Sequence, residues 1–320
     1  MDTVIEAAFA EPYENSKRQT KAVLVVHRSE LIAERYAAPL DKEVPALSWS
    51  MAKSVTNLMV GSLVNRNRLA VSDRVPFKLW QAEDDPRAQI TVDNMLRMST
   101  GLDFNETYGI NTDVTHMLSN VTSAADFAMD KPLAFPVDSH WAYASGTSNM
   151  LARIVYDTIG GPLQDKYDYF REALFDPLGI RQAIVEHDGS NVFIGSSYFY
   201  TTARDWAKFG QLMLQDGVWN DQRLLPEGWA EYSTTPTVSA AKADYGAHFW
   251  LNGQPEGWEY PSVWPDLPND IYFMSGFQGQ FVVVVPSEEV VIVRLGYTYP
   301  GTDEGMQALI GGVIKALGRH

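Results

Sequence analysis

Ser50 and Lys53 are residues whose types and spacing could do chemistry together. Apolar residues recur at helical spacing after them, which predicts a helix that starts near Ser50 and ends near residues 65–67. In a helix the two side chains share one face. Burial and the positive end of the helix dipole both lower the pKa of a lysine there, and a neutral amine can accept the proton of a serine hydroxyl. The alternative is a capping serine followed by a solvated surface lysine.

A second polar segment covers residues 140–149 and contains Tyr143 and Ser145. It precedes an apolar periodic stretch that predicts a helix over residues 150–159. A tyrosine hydroxyl near a lysine can relay a proton, because the ammonium stabilises the phenolate. The alternative is a tyrosine that packs its ring and turns its oxygen to water.

A third segment, residues 273–280, runs into a row of valines that predicts a strand. Its glycines Gly276 and Gly279 let the backbone come close to another group, as a site that uses a backbone N–H donor requires. A tight turn before an edge strand also uses glycines and stays the alternative. This segment alone favours neither explanation.

Several kinds of site are excluded by what the sequence lacks. There is no cysteine, so neither a thiolate nucleophile nor a cysteine metal site can form. The six histidines are scattered without metal-ligand spacing. Gly-x-Ser-x-Gly and the glycine-rich phosphate-binding patterns are missing, which argues against a Ser-His-Asp triad and against nucleotide chemistry. We therefore expect no metal and no other cofactor.

Charge and hydropathy limit the partners. Lys and Arg total 25 against 40 for Asp and Glu, and the net charge of −15 disfavours nucleic acid and anionic membranes. The longest unbroken apolar run, Phe281 to Val285, indicates a strand rather than a membrane span. No basic start followed by an apolar run follows Met1, so we expect no signal peptide and a cytoplasmic location, or a periplasmic one if a leader precedes the chain.

The elements that must position these residues come in the order strands, helices, strands, helix. β-Branched runs at residues 21–28 and 31–36, and at 280–286 and 290–295, predict two hairpins. The helices predicted from periodicity and caps cover residues 90–98 with Thr91 as N-cap and a stop at Gly101, 170–178, 202–214 and 305–317. Short helical pieces are expected over residues 103–138.

This order predicts an α/β (α+β) fold in which both ends of the chain share one antiparallel β-sheet, flanked by helices and with an inserted helical subdomain. We expect one domain over residues 1–320, with the α/β part at about 1–75 and 190–320 and the helical subdomain at about 76–189. The charges of Glu106, Arg204 and Asp205 are expected on helix surfaces or at helix caps.

Three separated elements occur in an order that resembles the serine-reactive penicillin-recognising superfamily. They are Ser50-Met51-Ala52-Lys53, then Tyr143-Ala144-Ser145, then Phe277-Gln278-Gly279-Gln280 before a β-hairpin. The nearest similarity is to the class C β-lactamase-like branch, which includes the family VIII carboxylesterases and the aminohexanoate-dimer hydrolases. Residues 90–102 and 195–219 also resemble family segments, so the similarity spans roughly residues 20–317.

The resemblance implies a β-lactamase/transpeptidase-like fold and a role for each matched residue. Ser50 would be the acylated nucleophile, Lys53 its proton acceptor and Tyr143 the group that moves a proton to and from the leaving group or water. Ser145 stands where the family usually has asparagine, and it would contact Lys53 or the substrate. The backbone N–H groups of Ser50 and Gln280 would form the oxyanion hole, with Phe277 and Gly279 also at the substrate.

The third element departs from the family pattern. Lactamases and peptidases have Lys-Thr-Gly there, and many esterase-like members begin the element with histidine, whereas this chain has Phe277. The basic group that holds a substrate carboxylate is missing, which favours an uncharged acyl group. We therefore expect a serine hydrolase acting on small carboxylic esters. The alternatives are a hydrolase of linear amides or a weak β-lactamase and, from another class, a non-catalytic binding or scaffold protein.

Overall fold

A computed structural model describes residues 1–10, 17–82, 84–253, 260–299 and 305–318 of the chain. Its strands are β1 (Lys17–His27), β2 (Glu30–Tyr36), β3 (Ala46–Leu47), β4 (Ile184–Val185), β5 (Phe199–Thr201), β6 (Val218–Trp219), β7 (Gln222–Arg223), β8 (Trp250–Leu251), β9 (Tyr272–Gly276), β10 (Gln280–Val285) and β11 (Val290–Tyr299). Its helices are α1 (Asp2–Phe9), α2 (Met51–Asn65), α3 (Val92–Leu96), α4 (Asp113–Ser119), α5 (Ala124–Met129), α6 (Ser145–Ile159), α7 (Leu163–Phe170), α8 (Ala203–Leu214), α9 (Trp229–Thr234) and α10 (Met306–Leu317).

The centre of the described structure is an antiparallel sheet of six strands in the order β2-β1-β11-β10-β9-β8. Strands from the start of the chain pair with strands from its end, since β1 runs antiparallel to β11 over most of its length. The predicted antiparallel sheet with flanking helices is therefore confirmed, and so are both predicted hairpins.

The valine run of β10 explains why this sheet is buried on both faces. Val282 and Val284 pack in one hydrophobic cluster, whereas Val283 and Val285 pack in another. Side chains of a strand alternate between faces, so a continuous apolar run fits a strand that is covered on both sides. Complete burial of each such side chain contributes about 1.5–3 kcal/mol of transfer free energy.

Helices cover the two faces. On one face α8 packs against the middle strands, and Gly210 permits the close approach because a Cβ there would lie 2.7 Å from side-chain atoms of Val282 and Val291. On the other face lie α1 and α10, whose apolar residues pack against the second cluster. Helix α2 lies between α6 and β9. Thus the Ser50 helix joins the helical segment to the sheet.

Three predicted helix boundaries are wrong. α6 begins at Ser145, five residues before the predicted start. α3 has the predicted cap at Thr91 but ends at Leu96, because Met98 takes a left-handed backbone with φ of 59°. The helix predicted over 170–178 overlaps α7 only at Phe170, and a π-helical turn over Arg171–Phe175 follows.

The segment between β2 and β8 carries helices α2 to α9 and the short strands β3 to β7. Its division into an α/β part and a helical subdomain stays a prediction. Over the residues that the structure describes, no helix has both the length and the apolar character needed to cross a membrane.

Candidate active site

The turn into α2 presents Ser50 at the helix N-terminus. Ser50 is the N-cap residue of α2, yet its side chain makes no capping hydrogen bond. Trp49 before it has a φ of 46°, an uncommon conformation for a bulky residue that is typical of functional sites. The buried Ser48 fixes the turn by donating a hydrogen bond to the Ser197 carbonyl at 2.7 Å. The Ser50 hydroxyl is therefore free of helix capping and available to other partners.

Lys53 meets Ser50 from the first turn of α2. The Lys53 Nζ lies 3.1 Å from Ser50 Oγ, 3.1 Å from Ser145 Oγ and 3.0 Å from the Ser196 carbonyl oxygen. Only 1% of Lys53 is exposed. Burial lowers the pKa of its ammonium to about 8, and the nearby Glu106 carboxylate limits that fall. A substantial fraction of the amine is then neutral near physiological pH, as a base acting on Ser50 must be.

Tyr143 completes the group around Ser50. The Ser50 hydroxyl is close enough to the Tyr143 phenol to lower its pKa, and Lys53 Nζ lies 4.7 Å from the centroid of the Tyr143 ring. The ring packs against Tyr245 and Trp250, with centroid distances of 5.9 and 5.5 Å. Burial raises the pKa of the Tyr143 phenol, and the neighbouring Ser50 hydroxyl opposes this only in part. Tyr143 therefore holds its proton at neutral pH, whereas Lys53 can lose one.

Ser145 connects Lys53 to a carboxylate that the sequence did not point to. The Ser145 hydroxyl donates to Glu106 Oε1 and its backbone N–H donates to Glu106 Oε2, both at 2.6 Å. Glu106 was expected to be a surface or capping charge, and it does cap α6 through that N–H. However, it also reaches the site. Local sequence carries no signal for this contact, since 39 residues separate the partners.

The β9–β10 hairpin approaches the same turn. A Cβ on Gly276 would lie 2.2 Å from the Ser48 carbonyl oxygen, so glycine is required at that contact. Gly279 has a φ of 83° and supplies the turn, where Arg294 donates to its carbonyl at 2.6 Å. Gln280 pairs with Gly276 across the hairpin. Its buried side chain accepts a hydrogen bond from the Gly296 backbone N–H at 3.0 Å, which braces the hairpin.

Aromatic rings surround Phe277 beside Ser50. The Phe277 side chain is 52% exposed and makes an edge contact with Trp49 at a centroid distance of 5.7 Å. Tyr108 lies nearly parallel to it at 6.3 Å, and Tyr198 lies 6.3 Å from Trp49. We call Trp49, Tyr108, Tyr198 and Phe277 the aromatic rim. It presents an apolar surface next to Ser50.

The buried histidine near Lys53 has a structural role. His248 Nδ1 lies 2.7 Å from the Leu96 carbonyl, which fixes the proton on that nitrogen, and Nε2 lies 2.8 Å from the Ser148 hydroxyl. Burial lowers the pKa of His248 to about 3, so the ring is neutral. Among the described residues, no three His, Asp or Glu side chains are grouped closely enough to ligate a metal ion.

The chain is similar to known proteins over nearly its whole length. The beta-lactamase family model matches residues 5–308. The chain is 26% identical over 304 residues to the 6-aminohexanoate-dimer hydrolase of Paenarthrobacter ureafaciens, covering 89% of this chain and 74% of that protein.

Two solved structures show the same fold. A crystal structure described as a putative beta-lactamase from Bacteroides dorei DSM 17855 has a TM-score of 0.75 at 16% identity, covering 99% of this chain and 98% of that one. EstCE1, described as a hydrolase with promiscuous acyltransferase activity, has a TM-score of 0.71 at 14% identity, covering 92% and 93%. By the family model, which matches nearly its whole length, the chain belongs to the beta-lactamase family.

Proposed function

We propose that the protein is a serine hydrolase that transfers the acyl group of a small carboxylic ester to Ser50 and then hydrolyses the acyl-enzyme. The observation that carries this proposal is the contact between a buried amine and a hydroxyl, Lys53 Nζ to Ser50 Oγ at 3.1 Å. A nucleophile and a base within hydrogen-bond reach, with the base held by further groups, form the arrangement that activates a serine. The non-catalytic alternative has no use for a buried amine held in this way.

The proton steps follow from the two pKa shifts. Neutral Lys53 takes the Ser50 proton as Oγ bonds to the acyl carbon. Tyr143 remains a phenol because burial raises its pKa, so it can donate its proton to the departing alkoxide. The proton gained by Lys53 then replaces the one that Tyr143 gave. Attack by water repeats these transfers in reverse order and frees Ser50.

We propose the backbone N–H groups of Ser50 and Phe277 as the oxyanion donors. Gln280, the donor expected from the resemblance, lies across the hairpin from Gly276, whereas Phe277 directly follows the glycine that touches the Ser48 carbonyl. Within the described parts of the chain, neither the Ser50 nor the Phe277 N–H has a hydrogen-bond acceptor. One such donor typically contributes about 3–4 kcal/mol of transition-state stabilisation.

The substrate class follows from the aromatic rim. Phe277 brings no charge to this surface, and its ring is held between Trp49 and Tyr108. This surface suits an uncharged, apolar acyl group better than a carboxylate. An ester is preferred to an amide because its leaving group asks less of the proton donor.

A linear amide is the second candidate. It is favoured by the 26% identity to a 6-aminohexanoate-dimer hydrolase, which extends over 304 residues. A match that covers 89% of this chain and 74% of that protein makes an amide of similar shape a reasonable substrate to test. Weak β-lactamase activity is the third candidate, favoured only by membership of the family.

Three substrates assayed side by side test the proposal. Wild type and Ser50→Ala are incubated with p-nitrophenyl butyrate, nitrocefin and the aminohexanoate dimer, and initial rates are compared. We expect kcat/KM to be highest for the butyrate ester and to be lost for all three in Ser50→Ala. Faster cleavage of the dimer or of nitrocefin overturns the ester preference. No cleavage of any of them, together with no adduct on Ser50, supports the non-catalytic alternative.

A further inference from the structure

The Glu106 carboxylate fixes the direction of the hydrogen bonds around Ser145. An ionised carboxylate only accepts, so the Ser145 hydroxyl must donate its single proton to Glu106 Oε1, at 2.6 Å. The Ser145 oxygen can then only accept from Lys53, whose Nζ lies 3.1 Å away. Glu106 Oε2 accepts the Ser145 backbone N–H at the same time, which holds the carboxylate in place.

This direction decides where the lone pair of Lys53 points. A neutral amine has two N–H donors and one lone pair, and Lys53 Nζ has three close oxygen partners. The Ser196 carbonyl can only accept, and Ser145 can only accept because its proton is given to Glu106. Both N–H groups are therefore used. The lone pair remains for the third partner, the Ser50 hydroxyl.

We propose that Glu106 is a positioning residue that, through Ser145, directs the Lys53 lone pair at Ser50 and stabilises the Lys53 ammonium formed during acylation. The inference rests on the proposed acyl transfer to Ser50. In that step the Ser50 proton moves to Lys53 while the Ser50 oxygen bonds to the acyl carbon. The leaving group takes its proton from Tyr143. Glu106 exchanges no proton and does not touch the substrate.

The charges around the pair support this role. Lys53 faces the Glu106 carboxylate, the Tyr143 ring and the neutral His248. Glu106 faces Lys53 and the phenols of Tyr108, Tyr143 and Tyr245, which remain neutral. Burial raises the pKa of Glu106, whereas the Lys53 charge and the Ser145 hydrogen bonds hold it down. Lys53 and Glu106 thus stabilise each other's charged form.

A role of Glu106 as a helix cap alone predicts a different experimental result. If Glu106 served only to satisfy the first N–H of α6, its loss would lower stability without moving any titration. Glu106→Gln separates the two. Its amide oxygen can still accept the Ser145 backbone N–H, but its NH₂ then faces the Ser145 hydroxyl. That hydroxyl must turn and donate to Lys53, where it competes with Ser50 for the lone pair.

The test is the pH profile of Ser50 acylation by p-nitrophenyl butyrate in wild type, Glu106→Gln and Ser145→Ala. For Glu106→Gln we expect the plateau rate to fall by about tenfold or more, and the acidic limb to move to lower pH by on the order of one unit. In Ser145→Ala the Lys53 lone pair is no longer oriented, but the Glu106 carboxylate remains. The plateau rate should therefore fall while the acidic limb stays near the wild-type pH.

If the acidic limb of the Glu106→Gln profile lies at the same pH as in wild type, Glu106 acts only as a helix cap and the proposal is overturned. A wild-type rate in Ser145→Ala overturns it independently, including where Glu106→Gln does not fold. Failure of the proposed function is recognised separately, because wild-type Ser50 then takes no acyl group at any pH.

Discussion

The Lys53 amine lies 3.1 Å from the Ser50 hydroxyl oxygen in an environment that leaves only 1% of Lys53 exposed. A charged ammonium is poorly solvated there, and burial lowers its pKa to about 8. In the proposed mechanism this contact gives the serine its base, and the burial of the amine makes its charged form costly for the fold. Activity and stability are therefore expected to depend on pH in linked ways.

The pH dependence of acylation is the first prediction. Lys53 acts as a base only when neutral, so the rate should rise with pH through about 8 and then reach a plateau. At pH 6 the rate should be roughly 1% of the plateau. Stopped-flow release of nitrophenol from p-nitrophenyl butyrate measures this. A limb near pH 6.5 would instead indicate a histidine as the base.

Replacing Lys53 with methionine should abolish acylation and change stability in a pH-dependent way. The folded-state pKa of about 8 lies below the ordinary lysine pKa of 10.5, so the cost of burying the ammonium is full below pH 8 and vanishes above pH 10.5. That cost is about 3 kcal/mol. The variant loses three hydrogen bonds but is relieved of this cost.

The Tm of Lys53→Met relative to wild type should therefore be most favourable at pH 7 and should decline towards pH 10.5. Thermal unfolding followed by circular dichroism across this range measures the difference. A difference that does not vary with pH contradicts the lowered pKa.

Removal of the Tyr143 hydroxyl should affect proton transfer rather than folding. In Tyr143→Phe the ring keeps its packing on Trp250, so Tm should change little. Loss of the proton donor should lower kcat by about 10²–10⁴. Tyr232→Phe is the matched control, because Tyr232 donates to Asp93 at 2.6 Å away from the site. The control should lower Tm and keep kcat; equal kcat losses in both variants would refute a specific role for Tyr143.

The contact between Gly276 and Ser48 predicts a third sensitive position. Gly276→Ala places a Cβ 2.2 Å from a carbonyl oxygen of the backbone, which must shift. We expect a loss of about 1–3 kcal/mol in the free energy of unfolding and at least tenfold in kcat/KM. In Gly318→Ala the nearest atom is 3.8 Å away, and neither quantity should change. Denaturant unfolding and ester hydrolysis measure both; a Gly276→Ala protein as active as wild type would show that the hairpin does not shape the site.

Local patterns in the sequence predicted the elements that depend on local physics. The β1–β2 and β10–β11 hairpins and the Thr91 cap follow from strand propensity and from side-chain capping. The start of α6 could not be predicted from local sequence, because Ser145 and the small polar residues after it are weak helix formers that become helical in a buried setting.

The site was predicted to the extent that its residues carry family motifs. The structure places Ser50, Ser145 and the Tyr143 ring around the Lys53 amine. Glu106 was not foreseen as part of the site, because it reaches Ser145 from a loop 39 residues earlier and no periodic pattern marks such a contact. Long-range polar contacts of this kind are set by the packing of whole elements.

Intact-mass spectrometry after incubation with an alkyl fluorophosphonate tests the central claim most directly. The account predicts one phosphonyl group per chain, located by peptide mapping on Ser50, formed faster above pH 8 than at pH 6 and absent in Ser50→Ala. A chain that remains unmodified at every pH, or one modified equally in Ser50→Ala, would contradict the assignment of Ser50 as the nucleophile.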